Sequence, residues 1–525
     1  MLNRIGATCH SLSVLVKAGM VEVGRPDLAL ASLRAVRGLG PIAGAAKVSA
    51  RRDPDAVAII DECGPVTYGE LDRRSNALAR AWLTHGFGAE SVIAVLCRDH
   101  RGVVDAMLAS AKLGARLLLM NTGFSRPQLA DVARREGVSA LVHDEEFADL
   151  LGDVDAEVRR YPESLVEELV HGDQRDLKLP RSGGALVLLT SGTTGTPKGA
   201  PRRVRSPLAA AQFLERIPLR RGQTMYVAAP TFHGTGLSQF ILAFALGMTV
   251  VFRRRFDVRA TLEGIAKHRC DVLVVVPTML QRIVDFGGVR DHDTSSLRIL
   301  FSAGSALGAD LGNRATALFG DVIHNLYGST EVAVATIATP ADWRAAPGTV
   351  GKPPRGCLVR LYDEQGREVT EAGTRGRIFV GSGLAFDGYS GGGTKEIIDG
   401  LMSSGDVGHF DADGRLFVDG RDDDMIVSGG ENVFPAEIED LLASHPALLE
   451  AAVIGVPDRE FGQRLRAFVV PSSEIDADTV KAYVKGNLAR YKVPRDVVFL
   501  GELPRNATGK VLRQKLRDYQ EGVPQ

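Results

Sequence analysis

Cysteine, charge of a single sign and long apolar runs are all scarce in this chain. Its 525 residues include five cysteines, Cys9, Cys63, Cys97, Cys270 and Cys357, far apart and without C-x-x-C or other metal-ligand spacing. That excludes a disulfide framework or a cysteine metal site, and it reads as reduced thiols of a cytosolic protein, each a small buried hydrophobe. Lys and Arg number 63 against 64 Asp and Glu, a net charge of -1, so no electrostatic surplus points to nucleic acid. The longest apolar run, residues 240–252, falls short of the roughly 20 residues a spanning helix needs. Gly247 divides it into a buried helix and a strand, "MTVVF". A clean signal-peptide core is missing from the start. There is no repeat, no low-complexity block and no G-x-S-x-G nucleophile motif.

A chain this long exceeds one ordinary core, so at least two domains are expected. Short β-branched runs recur: "AVAII" at 56, "VIAVLC" at 92, "ARLLLM" at 115, "ALVLLT" at 185, "VLVVV" at 272 and "RILFS" at 298. Amphipathic stretches such as "GVVDAMLASAKLGA" lie between them, which predicts largely parallel sheets covered on both faces. From about Ala335 glycines crowd and short strands such as "GRIFVG" appear, predicting a small β subdomain to about Gly420. A compact α/β tail follows, with "PAEIEDLLASHP" as a helix carrying Pro435 in its first turn. The charged segment "DGRDDDMI" is the boundary, so the chain divides into a lead-in (1–50), a large domain (51–420) and a small domain (421–525). The stretch before Asp53 is basic: Arg4, Lys17, Arg25, Arg34, Arg37, Lys47, Arg51 and Arg52 stand against only Glu22 and Asp27. A helical segment packed on the main body is the plainer reading, and a patch resting on a membrane surface the alternative.

The densest chemistry is "LLTSGTTGTPKGAP", residues 188–201. A phosphate cradle needs glycines for inward-pointing N–H groups, hydroxyls to donate and a cation to offset charge. Thr190, Ser191, Gly192, Thr193, Thr194, Gly195 and Lys198 supply all three, just past an apolar strand, where open α/β sheets bind ligands. It is not a Walker A loop, because Pro197 precedes the lysine, Gly199 follows it and no helix begins at once.

Further stretches carry matching chemistry. In "NLYGSTE", Asn325 can pair with an adenine edge and Tyr327 offers a face to a purine. Gly328 and Ser329 complete the turn, Thr330 offers a hydroxyl to phosphate, and Glu331 is a hard oxygen ligand suited to Mg²⁺. In "SAGSAL" the small Gly304, Ser305 and Ala306 let backbone lie against a flat ring. Asp406 in "SSGDVG" can accept both ribose hydroxyls. Lys510 in "PRNATGKVLR" sits on a short glycine turn, from which it can offset charge developing in transfer.

In order and spacing, over roughly residues 50–520, these motifs resemble the adenylate-forming superfamily of acyl-CoA synthetases, peptide-synthetase adenylation domains and luciferases. The resemblance implies an α/β fold: a large N-terminal domain of two α/β sheet subdomains plus a small distorted β-barrel, then a small mobile α+β C-terminal domain. It makes Gly304, Ser305 and Ala306 one side of the adenine site and Arg421 a ribose and phosphate contact. Asp423 becomes the hinge, Gly429 and Gly430 the glycines that pantetheine passes, and Lys510 the catalytic lysine. Ser404 stands where the family usually has Thr, and the hydroxyl is kept.

By the same resemblance, a carboxylic acid attacks ATP with Mg²⁺ to give acyl-AMP and pyrophosphate, and coenzyme A then displaces AMP. The segment "PTFHGTGLSQF" resembles the acyl-pocket lining and has no acid to pair an amino group, which disfavours amino acids. His233 can gate the pocket, and Gly234, Gly236 and Ala333 can leave a deep apolar channel. The expectation is therefore a cytoplasmic fatty-acid–CoA ligase for a medium- or long-chain acid, with peripheral membrane contact and a homodimer left open. An aryl-CoA ligase, an acyl-AMP ligase loading a carrier protein and a catalytically dead binding protein are the alternatives. The clusters Arg202, Arg203, Arg205 and Arg253, Arg254, Arg255 are read as solvated ends in preference to contacts with coenzyme A phosphates.

Overall fold

The computed structural model describes residues 2–519 apart from 23, 25, 182, 191–197, 203–209, 330–331, 383–394, 423, 425, 429–430, 459–461, 489 and 507–508. Its β-branched runs form two sheets in the large domain. The first has eight strands in the order Thr336–Ala338, Ile323–Tyr327, Ile299–Ser302, Val272–Val275, Thr224–Val227, Thr249–Val251, Val57–Asp61 and Gly64–Thr67. Its interior pairs are parallel and only the two edge pairs are antiparallel. The second has six strands: Arg159–Pro162, Ala140–His143, Val92–Leu96, Arg116–Leu119, Leu186–Thr190 and Lys198–Arg202. Every residue of Val272–Val275 and Val92–Leu96 is buried, as parallel strands covered on both faces require.

Between the sheets lies the main core. The helix Gly234–Leu246 presses Phe240 and Phe244 into it, rings 4.3 Å apart, and Tyr68 meets Phe244 edge-on at 5.4 Å. This helix ends at Gly247 in the left-handed region (φ 70), where a side chain would be strained, and the chain turns directly into Thr249–Val251. Gly247 thus splits the apolar run as its sequence suggests.

The lead-in forms the helices Leu2–Ala18 and Pro26–Arg52. The second is kinked at Gly40, just before Pro41, whose ring cannot continue a helical hydrogen-bond ladder. Beyond the kink, Ile42, Ala43, Ala45 and Ala46 join the main core, and the Ser49 hydroxyl donates to the Phe244 carbonyl at 3.2 Å. No described helix is long and apolar enough to cross a membrane.

The change of texture at Ala335 does not open the β subdomain. Thr336–Ala338 still pairs with Ile323–Tyr327 as an edge of the eight-stranded sheet. The subdomain's own sheet begins at Cys357–Tyr362 and runs through Gly376–Ser382 and Leu401–Phe410 to Leu416–Arg421. A further sheet follows, built on Leu448–Asp458 and Gly462–Pro471 and covered by the helices Pro435–Ala443 and Ala477–Asn487. All five cysteines are free, but Cys9 and Cys63 are exposed rather than buried, one on an outward helix face and one in a hairpin turn.

Candidate active site

Several of the residues expected at the site gather at the carboxyl ends of the eight-stranded sheet. Ile299–Ser302 runs into a turn in which Gly304 has φ 97. A Cβ on Gly304 would stand 3.2 Å from the Thr235 hydroxyl and 3.5 Å from a Val276 methyl, so this glycine brings the turn against the start of Gly234–Leu246 and the end of the neighbouring strand. Gly304, Ser305 and Ala306 are all exposed, a small-residue backbone surface suited to a flat ring.

On the adjacent strand, Asn325 is buried and its amide N–H donates to the Thr349 carbonyl at 3.3 Å. This bond holds the neighbouring loop and engages one of the amide's two N–H groups. Tyr327 supplies a polar contact, its hydroxyl donating to Asp406 at 2.5 Å. The Arg421 guanidinium donates to the other Asp406 oxygen at 3.2 Å. Burial pushes the Asp406 carboxyl up from its ordinary value, against the Tyr327 hydrogen bond and the Arg421 and Lys395 charges. Ser404 accepts the Asp406 backbone N–H at 3.1 Å and donates to the Ile378 carbonyl at 3.0 Å, so a hydroxyl is needed here and serine suffices. A Cβ on Gly328 would stand 2.1 Å from the Ala333 carbonyl oxygen. Ala333 itself takes φ 64 and returns its N–H to the Ser329 carbonyl at 2.8 Å, closing the turn.

The acyl-side segment is more closed than expected. A Cβ on Gly236 would stand 2.2 Å from the Ala229 carbonyl oxygen. Its smallness lets helix and strand touch and opens no channel, which corrects that expectation. Gly234 does border open space, with nothing within 4 Å of such a Cβ. His233 precedes the helix with its ring 4.4 Å from that of Phe232. Its Nε2 has no hydrogen-bond partner, and burial pushes its pKa down to about 4, so the imidazole is neutral at pH 7. Farther along, Gln239 is fully buried with its Oε1 unpartnered.

The small domain reaches this region. Lys510 ends a closed turn: its N–H donates to the Asn506 side chain at 2.9 Å, and the Asn506 N–H donates back to the Lys510 carbonyl at 2.9 Å. Lys510 is exposed, and Gly509 before it lies against Thr278, in the helix Pro277–Val284 of the large domain. Beside the expected hinge, Asp422 binds Arg377 at 3.1 Å and gives its N–H to the Gly405 carbonyl at 3.0 Å. Asp424 instead meets Arg513 at 3.5 Å and Arg517 at 3.6 Å. The two flanks are thus held by different domains.

A family profile described as AMP-binding enzyme matches residues 46–390, and one described as AMP-binding enzyme C-terminal domain matches residues 437–510. The chain belongs to the AMP-binding enzyme family. A feruloyl-CoA synthase from Amycolatopsis sp is 34% identical over 477 residues, covering 89% of this chain and 96% of that one. The indoleacetate–CoA ligase of Aromatoleum aromaticum is 32% identical over 488 residues, covering 89% and 95%. Among solved structures, the o-succinylbenzoate CoA synthetase of Bacillus subtilis bound to its acyl-adenylate intermediate superposes with a TM-score of 0.82 at 28% identity, covering 91% and 99%. The same protein has been solved with ATP and a magnesium ion. The α/β fold with its large and small domains is that of these enzymes.

In this AMP-binding enzyme the structure brings together Gly304, Ser305, Ala306, Tyr327, Asp406 and Arg421 on one side, and seats the Lys510 turn two residues along the chain from Val276. Thr190 and Lys198 face each other across the antiparallel pair that frames the glycine-hydroxyl loop. The remaining expected residues, Ser191, Gly192, Thr193, Thr194, Gly195, Thr330, Glu331, Asp423, Gly429 and Gly430, lie outside the described residues. Thr235, Val276 and Thr278 were not singled out from sequence, where two threonines and a valine carry no motif. Arg254 is half-buried and paired to Glu163 at 2.9 Å, while Arg255 pairs with Glu146 at 2.6 Å and stays exposed, as does Arg253.

Proposed function

We propose that this AMP-binding enzyme is an acid–CoA ligase for aryl or arylalkanoic acids, working through an acyl-AMP. The observation that carries the reading is the near full-length similarity to feruloyl-CoA synthase and indoleacetate–CoA ligase. The acyl-side packing supports it. The space beside Gly236 is filled by backbone, and Phe240 and Phe244 of the same helix pack into the main core. A compact ring fits that closure better than a medium- or long-chain fatty acid, and the fatty-acid expectation gives way to it.

In this reading the acid's carboxylate oxygen attacks the α-phosphorus of ATP and pyrophosphate leaves. The thiolate of coenzyme A then attacks the acyl carbon, and AMP leaves. Asp406, oriented by Tyr327 and Arg421, accepts the ribose hydroxyls, and the 304–306 turn carries the base. Lys510 stabilises negative charge between carboxylate and α-phosphate. A neutral His233 borders the acid without attracting a second anion. Magnesium, when bound, offsets charge on the departing pyrophosphate.

The test is pyrophosphate release with a panel of acids, with and without coenzyme A. Ferulate-like, indoleacetate-like and benzoate-like acids should lead, giving AMP and an aryl-CoA. A panel led by acids of eight or more alkyl carbons sinks the aryl assignment, and ADP with phosphate sinks the ligase reading altogether.

A further inference from the structure

We propose that Thr278 is the seat on which the Lys510 turn docks, a positioning residue for acyl-AMP formation and not for the thiol step. The inference rests on the acid–CoA ligase reading above. Lys510 is tied to its described neighbours: Asn506 and Lys510 exchange two hydrogen bonds, the Arg505 guanidinium donates to the Gly509 carbonyl, and Arg505 is also held by Glu450 at 3.1 Å. What Gly509 rests on therefore bears on where the Lys510 ammonium can reach.

It rests on Thr278. A Cβ on Gly509 would stand 2.3 Å from the Thr278 hydroxyl oxygen and 3.1 Å from its Cβ and Cγ2. Only a hydrogen fits in that gap. Gly509 also has φ 78, so the glycine of "TGK" meets two separate demands, a left-handed turn and a fit against another domain. Thr278 is the second residue of Pro277–Val284, a helix whose Pro277 follows Val276, and Val276 touches the Gly304 side of the base surface. The seat is therefore rigidly tied to the nucleotide side of the site, and it fixes Lys510 relative to the ligand rather than merely to the protein. Displacing a reacting group by about 1 Å can cost about a hundredfold in rate. The resemblance to adenylate-forming enzymes implies a mobile small domain, and on that expectation this contact serves acyl-AMP formation and not the thiol step.

The two half-reactions separate these claims. Thr278→Leu should lower acyl-AMP formation by about a hundredfold while leaving thioester formation from supplied acyl-AMP within about twofold. A double-mutant cycle isolates the contact. Gly509→Ala carries both backbone strain and the clash, and adding Thr278→Ala, which removes Oγ1 and Cγ2, should recover about tenfold of the lost acyl-AMP formation. Equal loss of both half-reactions in Thr278→Leu, or a strictly additive cycle, overturns the proposal. Failure of the wild-type enzyme to form acyl-AMP from any acid overturns instead the ligase reading beneath it.

Discussion

The two sheets of the large domain both bury polar groups near the carboxyl ends of parallel strands, and they treat them oppositely. At the six-stranded sheet, Cys97, His100 and Asp144 place their ligand atoms within 4.8 Å of one another, an arrangement that looks ready for a metal. Its bonds are already spent. The Gly102 N–H donates to His100 Nδ1 at 3.1 Å, which leaves Nε2–H to donate to Asp144 at 2.8 Å. Asp144 also accepts the Arg98 N–H at 2.9 Å and faces Arg254 at 3.6 Å. Neighbouring Asp99 accepts the N–H and hydroxyl of Thr231, and burial raises its carboxyl to about 6. At the eight-stranded sheet, His233 Nε2, Gln239 Oε1, the Ser302 hydroxyl and the Thr336 hydroxyl are buried without partners. Asp105 Oδ1 and Trp82 Nε1, beside the six-stranded sheet, are likewise unpartnered, so the closed network is the His100–Asp144 cluster and not that whole side. A closed network rigidifies, whereas an unpaired buried group is a cost that something else must repay.

The comparison can be broken at its widest point with Lys510→Ala, because the lysine is delivered to the eight-stranded side. Acyl-AMP formation should fall by about a hundredfold or more, with thioester formation from supplied acyl-AMP retained; parallel loss of both steps removes Lys510 from the chemistry. On the other sheet Asp144→Ala should behave as a structural lesion. Leaving the buried His100 ring and the Arg98 N–H without their acceptor should cost about 3 kcal/mol of stability in chemical denaturation, with kcat nearly unchanged in whatever fraction remains folded.

A pH titration sharpens the contrast. His233 and His324 are both held near a pKa of about 4 by burial, below their ordinary 6.5. The unfolded chain therefore binds more protons between those values. Their contribution is fully present above about 6.5 and is lost as pH falls towards 4. His324→Gln should flatten the fall in denaturation midpoint over that window, and an unchanged slope would show that His324 titrates normally. The smallest effect is expected at Gln239→Met. Removing an unpaired carbonyl oxygen should leave stability within about 0.5 kcal/mol but reorder ring-substituted acids by less than about tenfold. A large loss of stability would mean that the Gln239 oxygen has a partner after all.

Much of this molecule is legible in its sequence because the decisive chemistry is local. The β-branched runs form the strands they predict, Gly247 caps its helix, and the serine at 404 keeps the hydroxyl that Asp406 needs. What escapes the sequence depends on atoms far along the chain. A small residue in a motif can mean open space or close contact, and Gly234 and Gly236 are one of each. The bond from Asn325 to Thr349 is not visible in the motif. The acidic partners of Arg254 and Arg255, Glu163 and Glu146, lie about a hundred residues upstream. The fatty-acid expectation leaned on the same ambiguity, taking smallness at Gly236 for room.

Asp422 is gripped by the β subdomain and Asp424 by the arginines of the C-terminal helix Arg513–Arg517, so neither ion pair crosses the joint between them. That joint is also a seam for recombination. A chimera spliced there to the small domain of another family member would inherit each anchoring pair intact. It would have to match anew the contacts that cross between the domains, among them Arg375 with Glu437 at 3.5 Å and the fit of the glycine turn against Thr278.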